Sequence, residues 1–111
     1  MSLPSRLATA LTSALRTRDA EEVSALRGAI AAISNAEAMT SPQRTATEVV
    51  LGVGPSEVPR RELTDEEIVA IVREEITERR SAAAVLERHG HDERAARLVR
   101  EAGVLEKHLQ D

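Results

Sequence analysis

Residues 63–76 read LTDEEIVAIVREEI, and this stretch decides the fold because it holds a helix start and a helical apolar pattern. Thr64 is typical of an N-cap, and Glu67 lies three residues later, where its carboxylate can accept from the backbone N–H of Thr64. Leu63 precedes the cap and is placed to pack on Ile68. The stretch predicts a long amphipathic helix after Thr64, with these apolar residues on one face: Ile68, Ile71, Val72, Ile76, Ala83 and Leu86.

Three further helices follow from the same signals. The third helix should end near His89, because Gly90 suits the left-handed residue beyond a helix end. The other predicted spans are about Leu3–Thr17, Ala20–Met39 and, after an Asp92 cap, Glu93–Gln110. The predicted apolar stripe of the first helix advances four residues at a time, through Leu3, Leu7, Leu11 and Leu15, with Ala10 and Ala14 beside it. The predicted stripe of the fourth helix is Ala95, Leu98, Val99, Ala102, Leu105 and Leu109. No strand pattern is present. The sequence therefore predicts an all-α fold, a single four-helix bundle-like domain over residues 1–111.

Residues 40–62 are predicted to form an irregular loop, punctuated by Pro42, Gly52, Gly54, Pro55 and Pro59. Loops this long are uncommon inside a compact domain and indicate function or disorder. The Gly52-Val53-Gly54 triplet lacks the third glycine, the preceding strand and the lysine that a phosphate-binding loop needs. We therefore do not predict a nucleotide site there.

Composition excludes several classes of function. The 111 residues suit one domain, with 41% hydrophobic and 31% charged residues. Cysteine, Phe, Trp and Tyr are all absent, which excludes disulfides, thiolate zinc sites and aromatic stacking platforms for RNA bases. The net charge of −4 argues against nucleic acid as a partner unless a local basic strip overrules it, and we predict no DNA partner. No apolar run or leader predicts membrane attachment, so we expect a cytoplasmic protein.

No residue pattern predicts catalysis or a bound metal. No serine has an evident histidine and acid partner. His89 and His91 form an H-x-H at a helix end, but a zinc site would need a further ligand from elsewhere. We therefore predict no catalytic residue, no metal ligand and no cofactor. Whether the chain is an enzyme stays open at this point.

Four charged residues interrupt the apolar stripes. Glu75 and Arg79 lie four residues apart within the stripe of the third helix, a spacing at which they can pair. Glu37 on the second helix and Glu106 on the fourth occupy similar positions, and a carboxylate facing a core is costly unless it is paired. We predict an interior polar cluster of Glu37, Glu75, Arg79 and Glu106. A ligand pocket and a partner-facing groove are the alternatives.

A second set of charges is a candidate RNA-binding surface. Arg73 and Arg80 lie on one flank of the third helix, and Arg100 and Lys107 lie on the fourth. If the domain binds tRNA, these four residues are the predicted phosphate contacts. An ordinary solvated surface is the alternative reading of the same charges.

Several separate stretches together identify a family. They are RRELTDEEI at 60–68, Glu75-Ile76, Arg79-Arg80-Ser81, Leu26-Arg27, AISNAE at 32–37, Gly90-His91-Asp92 and LEKHL at 105–109. Their order and spacing resemble the GatB/YqeY family over nearly the whole chain except residues 40–60. The chain is similar to a short form that lacks the C-terminal tail domain of longer members.

The resemblance implies an all-helical fold related to the C-terminal region of the aspartyl/glutamyl-tRNA amidotransferase B subunit. It carries a family label of carbon–nitrogen ligase activity with glutamine as amido-N-donor, although none of the quoted residues supplies that chemistry. We expect an accessory protein that binds tRNA or an amidotransferase subunit. The alternatives are a helical interaction module with no RNA role and an independent enzyme.

Overall fold

The computed structural model describes residues 1–39 and 62–110. Within those ranges the chain forms α1 (Leu3–Thr17), α2 (Ala20–Met39), α3 (Asp65–Arg88) and α4 (Asp92–Gln110), and no strand. The predicted all-α single-domain fold is confirmed. The irregular loop predicted at 40–62 lies outside the described residues except for Glu62.

Local hydrogen bonds fix the boundary between α1 and α2. Arg18 ends α1 in the left-handed conformation, with φ 56°, and its N–H donates to the carbonyl oxygens of the last turn. Asp19 follows, and its Oδ1 accepts from the backbone N–H of Glu22 at 3.1 Å. That carboxylate satisfies one of the free N–H groups at the start of α2.

The predicted capping box begins α3. The backbone N–H of Glu67 donates to Oγ1 of Thr64 at 3.1 Å, and the N–H of Thr64 donates to Oε1 of Glu67 at 2.9 Å. Gly90 lies beyond the end of α3 with φ 80°. The start of α4 differs from the prediction by one residue, because the carbonyl of His91 accepts from the N–H of Ala95 at 3.0 Å.

The helices pack as two antiparallel hairpins, α1–α2 and α3–α4, and α2 contacts both helices of the second hairpin. The largest fully buried side chains are Leu7, Leu26, Val72 and Leu105. In place of aromatic rings the core uses alanines, which let helix backbones approach closely. The buried alanines are Ala14, Ala25, Ala29, Ala83, Ala95 and Ala102.

One position of the predicted α1 stripe is wrong. Leu15 is 47% exposed, whereas Ala14 is buried. The predicted stripe advances four residues at a time, and each step of four turns about 40° past a full revolution. Three steps from Leu3 therefore carry Leu15 about 120° away from the face that Leu3 began, so Ala14 takes the inward position.

No helix within residues 1–39 and 62–110 combines the length and the apolar character needed to cross a membrane.

Candidate functional site

The most enclosed charged group of the described chain is centred on Arg79. Its Nη1 donates to Oε1 of Glu75 at 2.9 Å and to the backbone oxygen of Glu75 at 3.2 Å. Its Nε donates to Oε1 of Glu101, on α4, at 3.0 Å. The side chains of Arg79, Glu75 and Glu101 are 14%, 18% and 7% exposed. We call these three residues the ion cluster.

Helix α2 closes the ion cluster through a glycine. A Cβ atom built on Gly28 would lie 2.4 Å from Nη2 of Arg79, closer than any side chain allows. Glycine in a helix interior costs about 1 kcal/mol relative to alanine. At this position the missing side chain makes room for the guanidinium, so α2, α3 and α4 meet at one charged group.

The ion cluster keeps Arg79 charged. Burial on its own would lower the pKa of Arg79. The hydrogen bonds that Arg79 donates to Glu75 and Glu101, together with the negative charges of these carboxylates, outweigh that effect, so the pKa of Arg79 is raised above its ordinary value. The stabilisation that depends on the charge of Arg79 is therefore present at neutral pH and is lost as the pH rises through that raised pKa.

The structure corrects one partner of Arg79. The α4 carboxylate at the cluster is Glu101, whereas Glu106 accepts from Nη2 of Arg80 at 2.9 Å in a half-exposed pair. Sequence reasoning missed Glu101, although it lies three residues after Leu98 and four before Leu105. The predicted stripe included Val99 instead, which is 48% exposed.

Glu37 also lies away from the ion cluster. It is half-buried on α2, nine residues beyond Gly28, which packs on the guanidinium. At 1.5 Å per residue the separation is about 13 Å along the helix axis, too far for Glu37 to share Arg79. Of the predicted polar cluster, Glu75 and Arg79 lie together, and Glu37 and Glu106 do not join them.

The four candidate RNA contacts divide into two classes. Arg80 is paired with Glu106, and Arg100 is paired with Glu21 of α2. Arg73 and Lys107 are exposed and form no ion pair within the described part of the chain. Two of the four predicted cations are thus partly neutralised by carboxylates of the domain itself.

A cleft of about 710 Å³ opens between the start of α2 and the first half of α4. Its walls include Ala20 and Ser24 of α2, Leu86 of α3, and Arg94 and Arg97 of α4. Sequence reasoning did not single out these two arginines. The signal was their spacing, because Arg94 and Arg97 lie seven and four residues before Glu101 and therefore share its face of the helix.

His89 of the H-x-H pair has a local structural role. The ring Nδ1 of His89 lies 2.9 Å from the backbone oxygen of Val85, in the last turn of α3. A cation or donor at this position satisfies free carbonyl groups at a helix end. Within residues 1–39 and 62–110, no three acidic, histidine or cysteine side chains are grouped so that they could hold a metal ion.

Comparison with known protein families identifies the family of this chain. No curated protein and no solved structure matches this chain. The sequence model of one family, described as Yqey-like protein, matches residues 4–111. The match covers α1 from Pro4 onward and the whole of α2, α3 and α4, so it includes the ion cluster and both Arg94 and Arg97. The chain therefore belongs to the Yqey-like protein family.

Proposed function

We propose that this Yqey-like domain is a non-catalytic accessory module of tRNA-dependent amidation, acting in the cytoplasm by binding tRNA. The resemblance of its helices to the amidotransferase B subunit supports a link to glutamine-dependent carbon–nitrogen ligation. Binding to an amidotransferase subunit is a second way in which the same module would serve that reaction. The proposal gives the domain a positioning role and leaves the chemistry to a partner.

The observation that carries the tRNA proposal is the set of exposed cations without carboxylate partners. Arg73 on α3 and Lys107 on α4 belong to it within the described residues. Phosphate groups are the RNA feature that such side chains recognise. The chain has no Phe, Trp or Tyr, and its only aromatic rings are those of three histidines. This composition favours contacts to the phosphate backbone over stacking of bases on aromatic side chains.

The state of the ion cluster supports a non-catalytic role. Arg79, Glu75 and Glu101 form hydrogen bonds to one another, and α2 packs over them at Gly28. A general acid or base must reach a substrate within hydrogen-bond distance. These carboxylates are directed at Arg79 inside the domain, which suits a structural role for the ion cluster.

The second candidate function is a helical protein-interaction module with no RNA role. It is favoured by the Arg80–Glu106 and Arg100–Glu21 pairs, which withdraw two cations from phosphate binding. The net charge of −4 favours it as well, because an acidic domain repels the RNA backbone at long range.

Co-purification separates the two functions. The tagged full chain is expressed in its native host, recovered at low salt, and analysed for both RNA and protein. Enrichment of tRNA over other RNAs of similar abundance is the expected result. A defined protein partner without RNA would favour the interaction module and contradict tRNA binding. Recovery of neither would contradict both.

A further inference from the structure

The face of α4 that carries Glu101 is buried in the second half of the helix and exposed in the first half. Glu101 and Leu105 on this face are buried, because α2 and α3 cover them. Arg94 lies seven residues before Glu101, about 20° from it around the helix, and Arg97 lies four before it. Both arginines are exposed. They lie on the first half of α4, which borders the cleft next to the first turns of α2.

The charges that line the cleft are unevenly engaged. Its two carboxylates already have partners, because Glu101 accepts from Arg79 and Glu21 accepts from Arg100. Arg94 and Arg97 form no ion pair within the part of the chain that the structure describes. The unsatisfied charge of the cleft is therefore positive, even though the domain as a whole is acidic.

We propose that this cleft binds a phosphate group, held by the guanidinium groups of Arg94 and Arg97. Arginine presents a planar fork of donors that matches phosphate oxygens. Two side chains at i and i+3 have Cβ atoms about 5–6 Å apart, so both can reach one anion. Ser24 places a hydroxyl group on the opposite wall.

The size and walls of the cleft point to a nucleotide as the carrier of that phosphate. Small-molecule sites typically enclose about 300–1,000 Å³, and this cleft measures about 710 Å³. Leu86 and Leu98 give it an apolar floor beside the arginines, suited to a sugar or a base. The phosphate comes either from a free nucleotide or from RNA, and only the RNA source rests on the proposed function.

The test is an NMR titration of the ¹⁵N-labelled full chain with inorganic phosphate and with adenosine monophosphate. Saturable shifts are expected at the side-chain Nε–H groups of Arg94 and Arg97 and at the amides of Ala20–Ser24. The double variant Arg94→Ala, Arg97→Ala should weaken binding by about tenfold or more for each arginine. Arg94→Lys with Arg97→Lys keeps the charge without the fork and should bind with intermediate affinity.

A charge-matched variant controls for the loss of two cations. Arg73 lies thirteen residues before Leu86, about 20 Å along α3 from that end of the cleft, and Lys107 lies ten residues beyond Arg97. In Arg73→Ala with Lys107→Ala, the shifts at Arg94, Arg97 and the amides of Ala20–Ser24 should therefore stay as in the native chain, whatever phosphate does elsewhere on the surface. Circular dichroism checks that each variant is folded.

The outcomes separate this site from the proposed function. Shifts that do not saturate, or that persist in the folded Arg94→Ala, Arg97→Ala variant, would overturn the phosphate site whatever tRNA does. If that variant also lowers the salt dependence of tRNA binding by about two units of log–log slope, the phosphate belongs to RNA. If it abolishes the phosphate shifts and leaves tRNA binding unaltered, the ligand is a free nucleotide.

Discussion

Gly28 of α2 and the guanidinium of Arg79 on α3 occupy adjoining space, with only 2.4 Å between Nη2 of Arg79 and the position a Gly28 Cβ would take. This relationship joins two helices that are separated by the long segment 40–61. It also seals the ion cluster, in which Arg79 bridges Glu75 and Glu101. A residue without a side chain and a residue with a long charged one thus act together to set how α2 packs on α3 and α4.

Arg79→Ala should destabilise the domain strongly. Removing one partner of a buried ion pair costs about 3–5 kcal/mol, because the remaining charges stay buried without a partner. Small domains have roughly 5–15 kcal/mol of stability, so the loss should be visible as a large fall in melting temperature.

Arg80→Ala is the matched control, since Arg80 is adjacent, chemically identical and half-exposed in its pair with Glu106. A pair of that kind contributes about 0–1 kcal/mol. Equal melting temperatures for the two variants would show that Arg79 is not enclosed.

The effect of Gly28→Ala on the free energy of unfolding should have opposite signs in the native chain and in an Arg79→Ala background. In the native chain the new methyl group meets Nη2 of Arg79, so the guanidinium must shift, which strains its hydrogen bonds to Glu75 and Glu101 and destabilises the domain. In an Arg79→Ala background the space is free, and alanine should stabilise α2 by about 0.5–1 kcal/mol. Denaturant unfolding of the four chains measures this coupling, and an effect of equal size in both backgrounds would disprove it.

Glu101→Gln should destabilise more than Glu106→Gln. The first substitution leaves Arg79 with the charge of Glu75 alone, and hydrogen bonds to charged groups contribute about 1.5–3 kcal/mol. The second affects a half-exposed pair with Arg80 and should cost less than about 1 kcal/mol. Chemical denaturation measures the loss of stability in both variants. A larger loss for Glu106→Gln would show that Glu106, and not Glu101, is the α4 carboxylate of the cluster.

The helices could be predicted from local sequence signals. The ion cluster depends on contacts between helices, so the sequence predicted it only in part. The Thr64–Glu67 capping box and the Asp19 cap depend on residues three apart, so the sequence alone places the starts of α2 and α3 correctly. The choice of Glu101 over Glu106 depends on how α4 is rotated against α3. The predicted stripe included Val99, which is exposed, so it assigned the wrong rotation to α4.

The roles of Gly28, Arg94 and Arg97 needed the tertiary structure. Nothing in the local sequence explains why position 28, inside α2, is a glycine. The explanation is the guanidinium of Arg79 on α3, which occupies the space that a side chain at position 28 would need. Arg94 and Arg97 follow the ordinary pattern of a charged helix surface. The position where α2 begins leaves them on an inward face that no residue of the ranges 1–39 and 62–110 covers.

The purified chain should neither release ammonia from glutamine nor hydrolyse ATP. The sequence has no evident nucleophile–base pair and no phosphate loop with the glycines and lysine that such chemistry uses. Enzyme-coupled assays for ammonia and for inorganic phosphate check both activities. Turnover above background that a single point substitution abolishes would contradict a purely accessory role.

The measurement that tests the proposed function most directly is the affinity of the full chain for tRNA as a function of salt. If Arg73 and Lys107 contact phosphates, the logarithm of the binding constant falls linearly with the logarithm of salt concentration. We predict a steep fall for the native chain and a slope smaller by about two for Arg73→Ala with Lys107→Ala. Binding that does not depend on salt, or no binding at low salt, would contradict it.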